Sequence, residues 1–272
     1  MKACICPSYG PPSNLVIEEL ADPIAAAGEV VVAVKACALN FFDTLIIQGK
    51  YQFKAEPPFS PSAEFAGIVE QVGDGVTEFA VGDRVMGYMV FGAARQKVVI
   101  TPDSLVKMPD DISFETAAGL TVTYGTTLHA FRDRAELKAG ETVAVLGASG
   151  GVGQAAVEIA SIMGAKVIAC ASSEEKLAFA KSLGADELVD YSKTSLKDTL
   201  KELTGGAGVD VVYDGVGKDT WEGSLDSLAP FGLLVSFGNA SGPVPASCTI
   251  RPMIANAMPA MTTPPSAPPG PY

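Results

Sequence analysis

One segment limits the fold of this chain more than any other. Glu141–Met163 is a short apolar run that breaks into glycines and resumes with helical spacing. Thr142–Leu146 has the composition of a strand covered on both faces. Beyond the glycines, Val152, Ala155, Ala156, Ile159, Ala160 and Met163 fall at i, i+3, i+4, i+7, i+8 and i+11, one apolar helix face. A glycine turn between such a strand and helix leaves N–H groups free at the helix N-terminus. With a helix dipole worth roughly half a positive charge, they make a site for a pyrophosphate. The segment predicts dinucleotide binding.

The pattern is Ala148-x-Gly150-x-x-Gly153, with Gly147 and Gly151 as additions, so the first glycine of the usual fingerprint is shifted or replaced. A tight turn whose small residues serve packing alone would look similar. Context favours the cofactor, because a strand precedes, a helix follows and Lys166–Ala171 reads as a second strand. Glu174–Leu183 then reads as a helix, with Ser172 or Ser173 as N-cap and Gly184 as its stop. Strands are expected at Glu187–Asp190, Val209–Asp214 and Gly232–Phe237, with helical stretches near Ser195–Leu203 and Asp219–Leu228 between them. This alternation predicts an α/β fold with a doubly wound parallel sheet.

The end of the second strand speaks to cofactor type. An NAD site usually carries Asp or Glu there to accept hydrogen bonds from the ribose 2′-OH. Here the residues are Ala169, Cys170, Ala171, Ser172 and Ser173, and Lys176 lies one helical turn beyond. A neutral tip with a nearby cation suits a 2′-phosphate, so NADP(H) is favoured over NAD(H). Lys176 as a plain solvated residue is the alternative, and Glu174 or Glu175 turning towards a ribose would favour NAD(H).

Composition removes several function classes. The net charge of −12, without a block of Lys or Arg, argues against nucleic acid or an anionic membrane as partner. The N-terminus starts like a strand rather than a signal peptide, and no run of about 18 apolar residues is present. Cys4, Cys6, Cys37, Cys170 and Cys248 are scattered and odd in number, the usage of buried thiols in a cytoplasmic protein. A hydrolytic triad would have to run through the single histidine, His129, and no G-x-S-x-G elbow accompanies it. His129 reads as an ordinary residue of a helix over Thr121–Arg132.

Residues 1–115 have a different texture. Glu29–Ala36 and Glu64–Val72 read as strands, Gly82–Val85 as a turn into a third, and Pro and Gly punctuate throughout. A compact, mostly β domain is expected before the α/β one. Together with Ala38–Thr44, Ser62–Glu70, Val81–Val85, Ala117–Tyr124, the glycine turn and Leu234–Asn239, this arrangement resembles the medium-chain dehydrogenase/reductase superfamily. The likeness is closest to its zinc-free, zeta-crystallin-like quinone oxidoreductase branch and runs from residue 1 to about 245.

The resemblance implies a GroES-like catalytic domain over 1–118, a Rossmann NADP-binding domain over 119–245, and a Pro-rich tail over 246–272. The zinc ligands of the alcohol-dehydrogenase branch are replaced by Asn40 and Ala63, and residues 84–115 hold no cysteine for a structural zinc lobe. Cys37 with Glu64 would supply at most two of the about three protein ligands a catalytic zinc needs. Hydride transfer without a Lewis acid suits a quinone or an α,β-unsaturated carbonyl, whose conjugation spreads the developing charge. By resemblance, Asn40 lies near the nicotinamide and Tyr51 on the substrate side. Tyr51 is the candidate hydrogen-bond or proton donor, with edge packing as its alternative. Asp43 as a helix cap and Asn40 as a turn former are likewise open. The resemblance puts Ser149, Gly150, Gly151 and Val152 under the pyrophosphate and Ser172, Lys176 and Tyr191 at the 2′-phosphate. Thr121, Val216, Phe237 and Asn239 then flank the nicotinamide half, with core packing as the other reading of Phe237.

After about Pro245 the likeness stops. Nine prolines fall between Pro243 and Pro271, and Arg251 is the only charge there. The expectation is a disordered segment arising from a shifted reading frame or premature end. It carries with it a bare sheet edge after Gly232–Phe237, loss of the contact through which relatives pair into homodimers, weak stability and reduced activity. The leading functional expectation is an NADPH-dependent quinone or enone reductase. A 2-enoyl thioester reductase and a truncated, non-catalytic dinucleotide-binding protein are the alternatives.

Overall fold

The structure is a computed structural model that describes residues 1–242. The expected Pro-rich tail over 246–272 and Cys248 lie outside the described residues. The chain divides into two compact units, Met1–Gly125 and Thr126–Tyr272.

The first unit is mostly β. β1 (Lys2–Ile5) and β2 (Val16–Glu19) form an antiparallel ribbon. β3 (Val30–Ala38), β4 (Glu64–Val72), β5 (Arg84–Tyr88), β6 (Lys97–Ile100) and β7 (Leu105–Lys107) form an antiparallel sheet in the order β6-β3-β4-β5-β7. Alternation along β4 divides its residues between two faces. Phe65 and Val69 enter a buried cluster with Val30, Val32, Val85 and Val98. Ala66 on the opposite face packs with Ala117 and Ala118 of α2 (Phe114–Ala118). Burial of each such Val or Phe is worth about 1.5–3 kcal/mol. A short helix, α1 (Phe41–Ile46), leaves the end of β3 and carries Asn40 at its N-cap.

The helix expected over Thr121–Arg132 is present, since every residue there is helical, but most of it is wound as π rather than α helix. Thr121–Gly125 closes the first unit as a π turn, and the second unit opens on α3 (Thr126–Leu128) and a π turn over His129–Arg134. Thr123 Oγ1 donates to Gly119 O at 2.9 Å, a back-bond of the kind that competes with the helical ladder and bends it. Periodicity alone does not register such competition.

The second unit alternates β8 (Thr142–Leu146), α4 (Gly151–Ile162), β9 (Lys166–Ala171), α5 (Glu174–Ser182), β10 (Glu187–Asp190), α6 (Leu196–Leu203), β11 (Val209–Asp214), α7 (Trp221–Asp226) and β12 (Leu228–Ser236). All five strands are parallel, in the order β10-β9-β8-β11-β12. Each face is covered, which is why these strands read as unbroken apolar runs. Val143, Val145, Val167, Ala169 and Tyr213 pack on the side of Ala156 and Ala160, while Ala144, Leu146, Ile168 and Val212 pack with Leu200 and Trp221. The expected α/β fold, a doubly wound parallel sheet after a mostly β domain, is therefore present. β12 starts earlier than expected and closes the order at one edge among the described residues. Its pairing with β11 shifts between Val209 and Val211, which hid its start from a reading by alternation. Chain order runs outward from β8 through β9 to β10, then returns to β11 beside β8. That reversal opens a crevice at the carboxyl ends of β8 and β11, the usual ligand position in such sheets.

Candidate active site

At that crevice the turn from β8 to α4 is built by glycine. Gly147 takes φ +70°, a left-handed conformation open to glycine at little cost, and Gly147 N and Ala148 N both donate to Cys170 O on β9. Gly150 is the N-cap of α4. A Cβ on Gly153 would lie 2.2 Å from Gly147 O and 2.8 Å from Ala148 Cα, so glycine there is demanded by the approach of helix to strand. A Cβ on Gly150 would meet nothing nearer than Gly147 O at 3.4 Å. Its lack of a side chain has no packing cause and leaves the helix N-terminus open to a ligand's approach. Gly151 and Val152 begin α4, where first-turn amides lack intrahelical acceptors. Ser149 is half-buried in the turn.

Ser172, Lys176 and Tyr191 meet at the tips of β9 and β10. Lys176 Nζ donates to Ser172 Oγ at 3.2 Å, and Tyr191 N donates to Ala171 O, next to Ser172, at 3.2 Å. Ser173, one of the two expected caps, is the N-cap of α5, its side chain accepting from Lys176 N. Glu174 is turned to Lys193, whose Nζ reaches Glu174 Oε1 at 3.0 Å. The strand tip itself carries no carboxylate.

Val216, Phe237 and Asn239 gather around a residue that sequence reading passed over. Asp214 ends β11 and is fully buried. Its Oδ1 accepts from Val216 N at 2.7 Å, Gly217 N at 3.0 Å and Thr220 Oγ1 at 3.1 Å. Its Oδ2 accepts from Thr220 Oγ1 at 2.9 Å and Ser224 Oγ at 3.1 Å. Phe237 N donates to Asp214 O, and the Phe237 ring stacks on Tyr213 at 4.2 Å, so this ring is part of the packing of the second unit. Asn239 stands against Gly217, where a Cβ would come within 2.9 Å of Asn239 Cα. The available sequence signal was an acid at the end of a buried strand followed by Gly-Val-Gly.

Within the first unit the central group is Glu64, 1% exposed at the start of β4. Its Oε1 accepts from Asn40 Nδ2 at 2.9 Å and its Oε2 from Val122 N at 2.7 Å. Asn40 and the turn that begins at Thr121 are thus tied to one carboxylate. Burial pushes the Glu64 carboxyl above its ordinary range, while these donors pull the other way. Asp43 is also buried. Its Oδ2 accepts from Asn40 N at 2.7 Å and its Oδ1 from Ser62 N at 3.0 Å, so it both caps α1 and ties it to the strand entry. Tyr51 is half-buried and rests its ring 5.6 Å from that of Phe42. Cys4, Cys6, Cys37 and Cys170 are free thiols. Among the described residues no group of three or more His, Cys, Asp or Glu is placed to hold a metal ion. His129 is on the surface, with Nδ1 2.8 Å from Asp133. Among the described residues no helix is long and apolar enough to cross a membrane.

An open, doubly wound sheet with a glycine-lined helix N-terminus, preceded by a small antiparallel domain, defines a class of two-domain dehydrogenases and reductases. Residues 26–110 match the family model for the alcohol dehydrogenase GroES-like domain, and residues 151–260 match that for zinc-binding dehydrogenases. A quinone oxidoreductase of Pseudomonas aeruginosa is 44% identical over 239 residues, covering 87% of this chain and 73% of that protein. A 2-haloacrylate reductase of a Burkholderia species is 37% identical, covering 88% and 74%. The crystal structure of Escherichia coli quinone oxidoreductase complexed with NADPH superposes with a TM-score of 0.85 at 38% identity, over 90% of this chain and 75% of that one. The chain belongs to the medium-chain dehydrogenase/reductase superfamily, in its quinone oxidoreductase branch.

Proposed function

We propose that this chain is an NADPH-dependent oxidoreductase that reduces a quinone or a related α,β-unsaturated carbonyl without a metal. The observation that carries the reading is the second unit's pair of anion-binding features. One is a helix N-terminus that Gly150 leaves open, and the other is the Ser172–Lys176–Tyr191 set beside a strand tip lacking a carboxylate. These residues fit NADPH by chemistry: amides and a helix dipole for the pyrophosphate, and a cation with hydroxyls for the 2′-phosphate. Ser149, Gly150, Gly151 and Val152 take the pyrophosphate in this reading, while Thr121, Val216, Phe237 and Asn239 serve the nicotinamide half. The engagement of Glu174 by Lys193 supports NADPH over NADH, since it draws away a carboxylate that would repel the phosphate.

When bound, the nicotinamide supplies the hydride. The protein's part is to orient the acceptor and to offer donors to the oxygen that gains charge. Asn40, whose amide direction is set by Glu64, serves as a positioning group, and Tyr51 donates to the acceptor oxygen. The domain limits proposed are 1–118 for substrate and 119–245 for cofactor, in a cytoplasmic enzyme. An activated alkene such as a 2-enoyl thioester is the second acceptor class, favoured by kinship with the 2-haloacrylate reductase.

NADPH consumption at 340 nm with 1,4-benzoquinone, set beside a crotonyl thioester, tests the reading, with NADPH and NADH binding followed separately by calorimetry. Quinone turnover with preference for NADPH is expected. Thioester turnover alone moves the assignment to the second class, and binding without turnover of either acceptor leaves only a dinucleotide-binding protein.

A further inference from the structure

Two of the tyrosine hydroxyls are engaged within the fold. Tyr9 donates to Ala55 O at 2.7 Å, and Tyr213 shares a hydrogen bond with Thr127 Oγ1 at 3.2 Å. Tyr51 and Tyr88 differ, for both rings are half-buried and neither hydroxyl has a hydrogen-bond partner among the described residues. A part-buried phenol usually finds a partner for its O–H, so two such hydroxyls in one region suit a ligand.

Cross-strand register puts Tyr88 in that region. Its Cα is paired with Glu64 across β4 and β5. Directly opposed residues of an antiparallel pair share a face, with Cβ atoms about 5 Å apart. Tyr88 therefore stands beside the carboxylate that holds Asn40 Nδ2 at 2.9 Å. Burial first, then the charges of Tyr51, Asp43 and Glu64, hold the Tyr88 phenol above its ordinary value, which keeps it a protonated donor at neutral pH. The chain beyond each phenol is fastened to the other: Phe53 stacks on Phe91 at 5.8 Å, and Phe91 meets Phe59 edge-on at 5.6 Å.

We propose that Tyr88 is a second substrate-binding phenol, donating a hydrogen bond beside Tyr51 to the carbonyl oxygen conjugated to the carbon that accepts hydride. The assignment rests on the functional reading above. As hydride adds to the conjugated carbon, the π pair moves to oxygen, which then takes a proton from water. The Tyr88 O–H bond is not broken; its role is to stabilise the charge that builds on that oxygen.

The test is steady-state reduction of 1,4-benzoquinone by the full chain and its Tyr88→Phe variant, with NADPH affinity and melting temperature measured on both. Loss of one neutral donor is expected to lower kcat/KM for the quinone about tenfold. NADPH affinity should stay within about twofold, and a Tyr51→Phe, Tyr88→Phe pair should lose more than either change alone. If Tyr88→Phe does not fold, Tyr88→Met carries the same test, since it keeps bulk and also lacks the donor. Wild-type turnover with either variant unimpaired overturns the assignment of Tyr88 alone. A wild-type chain that binds NADPH but reduces neither quinone nor enone overturns it together with the functional reading.

Discussion

Asn40 Nδ2 donates to Glu64 Oε1 over 2.9 Å, and the second oxygen of the same buried carboxylate takes the Val122 amide at 2.7 Å. One side chain therefore joins the N-cap of α1 to the turn at Thr121–Gly125, and both carry residues assigned to the site. The Glu64 carboxyl is held above its ordinary value of 4.5, with burial as the main cause, so the folded state keeps its proton over a range where the unfolded chain has lost it. Its contribution to stability is then complete below that value and is lost as pH rises through the folded-state value. Urea unfolding of wild type and Glu64→Gln between about pH 4 and pH 8 should give a stability difference that falls with rising pH. A difference that stays level or rises across that range removes this account of Glu64.

Asp214 accepts from four donor groups of the residues that follow it. Asp214→Ala strands Val216 N, Gly217 N and Ser224 Oγ, which now converge on its two oxygens, while Thr220 Oγ1 keeps Gly217 O at 3.1 Å. Buried donors left unmatched cost about 1–3 kcal/mol each, less whatever relaxation or water recovers. A net loss of about 3 kcal/mol, or roughly 6–12 °C in melting temperature, is expected. Asp214→Asn should lose less, because the hydroxyls can rotate to meet its amide. Calorimetric melting decides the matter, and an alanine variant within about 2 °C of wild type would contradict it.

Cofactor choice should turn on Lys176. The side chain is exposed, so its contribution is screened by salt. Charge-assisted hydrogen bonds of this kind are worth about 1.5–3 kcal/mol, and Lys176→Ala is expected to weaken NADPH binding by roughly tenfold or more at low ionic strength. NADH binding should hardly change. Isothermal titration with both coenzymes would reveal an error if the two affinities fell together.

The glycines of the β8–α4 turn should separate stability from binding. Gly153→Ala forces a Cβ to 2.2 Å from Gly147 O, so the helix must move, and a loss of about 3 kcal/mol or more is expected. Gly150→Ala meets nothing nearer than 3.4 Å and should melt within about 2 °C of wild type while binding NADPH at least about tenfold more weakly. Equal losses of stability in the two variants would mean that the turn glycines serve packing alone.

Local patterning reached far in the second unit. The ends of β8, β9, β10 and β11 were legible because strands covered on both faces are continuous apolar runs bounded by polar residues. The cap of α5 was readable to within one residue, as Ser172 or Ser173, because capping joins residues three apart, and Ser173 fills it. The helix expected over Thr121–Arg132 was legible as a helix, but its π winding was not, since side-chain competition for backbone groups leaves no mark on apolar spacing.

The sequence by itself determined the parallel sheet, the glycine turn and the neutral strand tip, because each depends on neighbours within a few residues. Only the tertiary structure decided that Glu64 would hold Asn40, that Tyr88 would face Glu64 across two strands, and that Asp214 would gather the Val216–Ser224 loop. Those contacts depend on strand register and chain reversal. Register is settled by the packing of a whole sheet, so no short stretch of residues carries it.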